Sequence, residues 1–203
     1  LDQVEVHYVD LKDLSVDDFK DKIKGTHIIY HLGAAGVDQF QKDSLSIVET
    51  NIRGTLCLLQ LARDLKVERF VYCGSCFEYG SGSFLREDML PTPINEYAAS
   101  KLSAGILVNT FFYKYGLPTV YLRPFTVYGP FEGPRRLIPH VIRSILEGRD
   151  IELTEGKQTR DMVFIDDVLE AFLIAGIKPK ITGKTFNLAT GQEIAVKDVV
   201  FTV

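Results

Sequence analysis

Thr26-His27-Ile28-Ile29-Tyr30-His31-Leu32-Gly33-Ala34-Ala35-Gly36 is an apolar run of strand length closed by four small residues. A short run with no polar alternation suits a strand buried on both faces, and such strands belong to parallel sheets covered by helices. Small residues at the end of the run let a flat ligand approach the backbone, although a tightly packed loop would ask for the same residues. Upstream, Val4-Glu5-Val6-His7-Tyr8-Val9 alternates like a strand and ends in Asp10-Leu11. Ser15 then stands as an N-cap before a short helix through Ile23. Downstream, Leu45, Val48, Ile52, Leu56, Leu59 and Ala62 recur at helical spacing, so 43–65 reads as one long helix. Asn51 is an odd polar residue inside it.

The same unit then repeats. Val67 to Cys73 reads as a strand that delivers Gly74-Ser75, 80–93 as a loop rich in Gly, Ser and Pro, 96–115 as a helix and 117–124 as a strand. Strand and helix in strict alternation predict an α/β fold, a doubly wound parallel sheet with ligands at the strand C-terminal ends. Asp10, the Gly33 to Gly36 turn and Ser75 all fall at such ends. Further on, 128–134 reads as a loop, 137–147 as a helix and 150–153 as a short strand. Phe164 to Val168 leads into a helix through Ile177, and Phe186-Asn187-Leu188 reads as a strand. No repeat or low-complexity segment interrupts this order.

Composition narrows the classes of function. The 203 residues are 46% hydrophobic and 25% charged with a net charge of -4, which suits one globular domain or one and part of a second. No basic run suggests a nucleic-acid partner, and no apolar stretch approaches the ~20 residues of a membrane helix. With no leader peptide visible, the cytoplasm is the expected location. Cys57, Cys73 and Cys76 do not form a disulfide framework. Cys73-Gly74-Ser75-Cys76 matches a redox or zinc spacing, but it follows a strand, and His7, His27, His31 and His140 are scattered, so no metal site is expected.

The chemistry sits in Asn95-Glu96-Tyr97-Ala98-Ala99-Ser100-Lys101. Tyr97 and Lys101, four residues apart on a helix, share one face. An ammonium ~5 Å from a phenol contributes roughly 3 kcal/mol at an effective dielectric near 20, which would lower the phenol by about two pKa units. A serine hydroxyl from another element could then hold the substrate oxygen. The plainer alternative is a half-buried Tyr above a snorkelling Lys.

Taken together, these pieces resemble the extended short-chain dehydrogenases/reductases, specifically the nucleotide-sugar epimerase/dehydratase group, along nearly the whole chain. The matching segments are Val9-Asp10-Leu11, His31 to Ala35, Asn51-Ile52-Arg53-Gly54-Thr55, Phe70 to Ser75 and Tyr79-Gly80, then Tyr97 with Lys101, Leu122-Arg123-Pro124, Val127 to Pro130, and Arg160 to Val168. The resemblance implies a Rossmann-type dinucleotide-binding domain over 1–126. The remainder, 127–203, would hold part of a substrate lobe and a return to the main sheet. It implies NAD or NADP as cofactor, with NAD favoured. Asp10 and Leu11 would lie at the adenine, and Leu32, Gly33, Ala34 and Ala35 at the ribose and nicotinamide side. Asn51 would lie near the cofactor and Phe125 near the nicotinamide. Tyr97 would be the acid/base, Lys101 would bond the ribose and acidify Tyr97, and Ser75 would bond the reacting oxygen. Arg160, with Thr126 at the sugar, would hold the diphosphate of a nucleotide sugar, the alternative for Arg160 being a surface pair with Asp161. Arg135 and Arg136 could also reach phosphate. A homodimer through the 43–65 and 96–115 helices would follow.

Three departures qualify what is carried over. The family's glycine-rich turn and first strand lie outside this sequence, so these residues by themselves are expected to bind NAD(P) poorly and to be inactive. The 4,6-dehydratases carry acidic residues directly after the Ser75 position; here Cys76 and Phe77 stand there and Glu78 comes one place late, with a strand's alternation turning it away. That favours a 4-epimerase or 4-ketoreductase over a dehydratase. Thr126 stands where many 4-epimerases carry Asn. A reductase of non-nucleotide carbonyls and a non-catalytic NAD(P)-binding regulator are the other readings; Arg160 speaks against the first, and the survival of Ser75, Tyr97 and Lys101 against the second.

Overall fold

The computed structural model describes residues 4–37, 43–151 and 154–203. Strands β1 (Ile28–His31), β2 (Arg69–Cys73), β3 (Thr119–Pro124) and β6 (Lys184–Leu188) form one wholly parallel sheet in the order β1-β2-β3-β6. Side chains alternate across it. Phe70 and Tyr72 of β2 and Tyr121 of β3 face α3 (Gly54–Leu65) and α4 (Glu96–Tyr115), meeting Leu59, Ala62, Ala104 and Val108. Val71, Val120 and Leu122 face the other way, onto Val168, Phe172 and Ala175 of α6 (Ile165–Ile177). Apolar residues on both faces of the central strands explain why they read as unbroken hydrophobic runs. Each such side chain taken fully out of water contributes roughly 1.5–3 kcal/mol. The fold is the Rossmann-type doubly wound sheet expected from the order of elements.

A second, smaller sheet is built from segments that showed little pattern. β4 (Thr126–Tyr128) pairs in parallel with β5 (Thr159–Phe164), and β5 pairs antiparallel with β7 (Glu193–Ala195). Its strands are short and β5 opens on polar Thr159-Arg160-Asp161, so hydrophobic alternation could not reveal it. Helices α5 (Leu137–Leu146) and α7 (Val196–Thr202) complete this part of the chain.

Four sequence expectations need correction. Val4 to Val9 form no strand: the segment is irregular and open to solvent, with Tyr8 96% exposed. Alternation supplies only the faces of a strand, and no partner strand lies alongside this one among the described residues. Of the proposed strand 150–153, Asp150 and Ile151 are irregular and the other two residues lie outside the described residues. Ser15 is the N-cap residue of α1 (Val16–Lys20), as expected, though without a side-chain capping bond, but the helix ends at Lys20, short of Ile23.

The helix over 43–65 is the fourth correction, because it is not uniform. α2 (Ser44–Val48) passes into a wide π turn at Glu49–Arg53 before α3 begins. Such a turn inserts one extra residue, and here it aims Asn51 into the interior. The tight approach of the following turn to Leu11 explains Gly54, where a Cβ would lie 2.9 Å from the Leu11 Cβ.

His31, at the end of β1, is buried against Phe70 and Tyr72, and its Nε2 lies 2.8 Å from the Thr55 hydroxyl. Burial, helped by the Lys101 charge, pushes its pKa down to about 3. Between that value and the ordinary one near 6.5, the unfolded chain takes up a proton that the folded chain refuses. Stability is therefore undiminished above about pH 6.5 and falls below it by about 1.4 kcal/mol per pH unit. Denaturant midpoints followed from neutral pH to about pH 5 should show this group removing roughly 2 kcal/mol, and His31→Gln should flatten that part of the profile.

Candidate active site

Ser75 is placed by a turn that only glycine can enter. At the end of β2 the Gly74 N–H donates to the Leu122 carbonyl, 2.6 Å away, and a Cβ on Gly74 would fall on the Tyr121 ring and the Glu78 carboxylate. Ser75 then caps a 3-10 turn over Cys76–Tyr79, its Oγ accepting the Phe77 N–H at 3.2 Å. Glu78 reaches back to accept the Ser75 N–H at 2.9 Å. This reciprocal pair is a capping box, and the spacing Ser-x-x-Glu announced it in the sequence, where the strand reading hid it. Strand alternation would turn Glu78 away; it lies instead on a helical turn, buried and ion-paired with Arg123.

Tyr97 comes from the first turn of α4, which Asn95 caps by accepting the Ala98 N–H at 2.8 Å. Its phenol lies near enough to Ser75 for that hydroxyl to act on its ionisation, which makes the gap between the two the candidate crevice, and its ring meets Phe77 edge-on at 6.4 Å. Ser75 and Tyr97 are thus brought together from two elements, as the sequence reading required. Lys101, one turn on, is 2% exposed, and its Nζ lies 4.6 Å above the Tyr72 ring.

The electrostatics differ from expectation. Burial pushes the Tyr97 phenol up to about 12, Cys73 adds to the rise, and only the Ser75 hydroxyl pulls noticeably the other way. Lys101 is not among the groups that act on Tyr97 most strongly, so the two-unit acidification expected from helical spacing is absent here. The reason is depth: the Lys101 amine is itself driven down by burial and rests on the face of Tyr72. Burial likewise pushes the Cys76 thiol up to about 11 against the pull of Arg160, and it raises Cys73. All three cysteines are free thiols, and among the described residues no group of His, Cys, Asp and Glu could hold a metal ion.

Beside this crevice runs an open groove of about 710 Å³, lined by Asp10, Leu11, Gly33 and Ala34 together with Tyr8 and Thr50. Four of the expected cofactor residues therefore share one surface, and Tyr8 and Thr50 join them unannounced by any sequence signal. A Cβ on Gly33 would lie 2.7 Å from Leu11 Cδ1, so the floor is bare backbone. The Asp10 carboxylate, half exposed, accepts the Lys12 N–H at 3.1 Å and pairs with the Lys12 ammonium at 3.5 Å. Bare backbone, an apolar wall and an accessible carboxylate for hydroxyl groups make a donor and acceptor set that fits a nucleotide.

Other expected residues lie elsewhere. Leu32 is exposed at the end of β1. Asn51 is 1% exposed and fully committed: it accepts the Ala35 N–H at 2.7 Å and donates to the Ala35 carbonyl at 2.9 Å and the Ser100 hydroxyl at 2.8 Å. It ties the glycine-alanine turn to α4 from behind. Phe125 packs against the cluster under α6, and Thr126 opens β4 opposite Met162, partly buried. Arg160 on β5 is exposed, bonds among the described residues only the neighbouring Thr159 carbonyl, and its charge is felt at Cys76. Asp161 is not its partner: that carboxylate is buried and accepts from the Thr190 N–H, the Thr190 hydroxyl and the Gly191 N–H, each at 2.8 Å. Arg136 is held by Glu132 at 3.3 Å.

Comparison with known proteins gives this geometry a context. The model of the NAD dependent epimerase/dehydratase family matches residues 1–189. The chain is 33% identical over 187 residues to the dTDP-D-glucose 4,6-dehydratase of Dictyostelium discoideum, covering 85% of this chain and 43% of that protein. It is 35% identical over 177 residues to the UDP-glucuronate 4-epimerase of Thermodesulfobacterium geofontis, covering 85% and 54%. In structure it is similar to MoeE5 in complex with UDP-glucose and NAD, with a TM-score of 0.86 and 30% identity over 95% of this chain and 65% of that one. The chain thus spans about half the length of the curated relatives it matches.

The raised phenol gives a direct check. Tyr97 should stay protonated throughout the neutral range without ligand, so ultraviolet difference titrations of the native protein and Tyr97→Phe should coincide up to about pH 10, where an ordinary tyrosine is already half ionised.

Proposed function

The chain belongs to the NAD-dependent epimerase/dehydratase family, and on that premise we propose that it serves a nucleotide-sugar 4-epimerase or 4-ketoreductase that uses NAD. One observation carries the choice of reaction: among the described residues, no carboxylate faces the crevice directly after Ser75. Cys76 and Phe77 stand there, and Glu78 is 0% exposed and paired with Arg123. Elimination of water from a sugar needs an acid for the leaving hydroxyl and a base for the carbon-bound proton, and a thiol held near pKa 11 beside a phenyl ring supplies neither. Oxidation and reduction at one carbon, with the cofactor taking and returning the hydride, need only a proton shuttle from the protein.

Asp10, Leu11, Gly33 and Ala34 would hold the cofactor, which when bound supplies a hydride acceptor and donor. Ser75 orients the sugar hydroxyl by hydrogen bonding to its oxygen, and Tyr97 exchanges the hydroxyl proton at its own oxygen. With its pKa near 12, Tyr97 is set as the proton donor; to act as base it needs additional positive charge near the phenol. Lys101, on the same helix face, is the residue of this chain placed to supply part of that charge. Arg160, exposed and without a carboxylate partner among the described residues, offers its fork of donors to the diphosphate. We further infer a cytoplasmic homodimer assembled through the helical stretch 43–65 and α4, which present Leu45, Ile106 and Tyr113 to solvent.

In the intact protein Tyr97→Phe should lower kcat by about 1,000-fold while NAD affinity changes less than about twofold. Arg160→Ala should raise the KM for a nucleotide sugar by about 10- to 100-fold, the loss of a charge-assisted pair, with little change in kcat. Product stereochemistry across a panel of UDP- and dTDP-sugars separates the reactions: inversion at C4 supports epimerisation, net consumption of NADH supports the ketoreductase, and a 4-keto-6-deoxy product would instead make it a dehydratase.

A further inference from the structure

The chemistry proposed above makes no use of Glu78, although it is the most deeply buried carboxylate among the described residues. One of its oxygens accepts the Ser75 N–H at 2.9 Å. The other accepts the Arg123 Nε–H at 2.8 Å and the Tyr121 hydroxyl. Arg123 is almost as buried, with its guanidinium 4.8 Å from the centroids of both the Tyr79 and Tyr121 rings. It also donates to the Tyr79 hydroxyl oxygen at 2.8 Å. That hydroxyl in turn donates to Asn187 Oδ1 at 2.8 Å, and Asn187 donates onward to the Leu85 carbonyl. An unbroken set of hydrogen bonds therefore runs from the Ser75 backbone to β6 and to the loop before α4.

The consequence falls on the Ser75 hydroxyl. With its N–H held by Glu78 and one Oγ lone pair taken by the Phe77 N–H, Ser75 is fixed at both ends of its capping turn. Among the described residues none bonds the hydroxyl proton or the second lone pair, and Tyr97 is near enough for its ionisation to feel that hydroxyl. We propose that Glu78, anchored by Arg123, is the positioning residue of this site: it fixes the Ser75 backbone so that the hydroxyl is presented to the crevice as a donor beside Tyr97. This rests on the reading of Ser75 and Tyr97 as the pair that faces the sugar.

A purely structural ion pair is the rival explanation, and the two separate in a double replacement. Buried ion pairs replaced on both sides by apolar residues of similar volume commonly keep their stability. Glu78→Leu with Arg123→Met in the intact protein should therefore still fold, with a Tm lowered only by the Ser75 N–H and the Tyr121 hydroxyl that it leaves unpaired. Its kcat should nevertheless fall by about 100-fold, the scale set by a misplacement of about 1 Å, with KM moving less than about threefold. An unchanged kcat in the folded double variant would overturn the proposal. Amide exchange of the unmodified protein tests the same point without turnover. The Ser75 N–H should exchange with the slow amides of β2 and β3, and exchange at the rate of an open loop would overturn the positioning role whatever the kinetics show. If the native protein turns over no nucleotide sugar, the functional reading fails, and the exchange result alone still decides whether Glu78 holds Ser75.

Discussion

The ring of Tyr121 is the piece around which the site is assembled. It projects from β3 into the layer beneath α4, where a Cβ on Gly105 would collide with it, and it packs beside Gly74, where a Cβ would collide with it again. Two glycines from two elements therefore admit one aromatic ring. The close approach of the strand end, the helix and the central strand that results sets Ser75 opposite Tyr97. Its hydroxyl finishes the arrangement by bonding Glu78, which in turn holds the Ser75 N–H. Protein interiors are packed closely enough that a shift of this ring would be passed to both sides of the crevice.

Desolvation outweighs charge in this crevice. Tyr97, Cys73 and Cys76 are all held in their neutral forms, and Lys101 and His31 are pushed toward theirs, with burial as the first cause in every case. A formal ammonium one helical turn from a phenol suggested the opposite balance. Coulomb attraction at an effective dielectric of about 20 offers only roughly 3 kcal/mol at best, and here burial, not that attraction, decides the direction in which Tyr97 shifts. The ligand-free site therefore favours neutral groups: Tyr97 and the two thiols keep their protons, while Lys101 and His31 are pushed toward losing theirs.

Polar side chains behind the site act mostly as fasteners. Asn51, which the wide turn between α2 and α3 aims inward, spends its hydrogen bonds on Ala35 and Ser100 and so joins the groove to α4. Asp161 holds the Thr190–Gly191 turn, and strand alternation then leaves Arg160 on the opposite, open side. In both cases a residue that looked like a ligand contact, or a surface partner, is instead committed to bonds within the protein.

The sequence alone determined the alternation of strands and helices, the parallel sheet, the small-residue turn at Gly33 and the Tyr97–Lys101 pair. Each is written in local periodicity, in composition or in the spacing of neighbouring residues. It could not show that Val4 to Val9 lack a partner strand, or that Arg160-Asp161 lies on a strand of a second sheet, because pairing is a relation between distant segments. The structure alone decided that Glu78 belongs to Arg123, that Asn51 faces the interior and that Tyr97 resists ionisation. Those outcomes depend on how far each group is removed from water and on what meets it there, and only the folded packing of residues far apart in the chain fixes either.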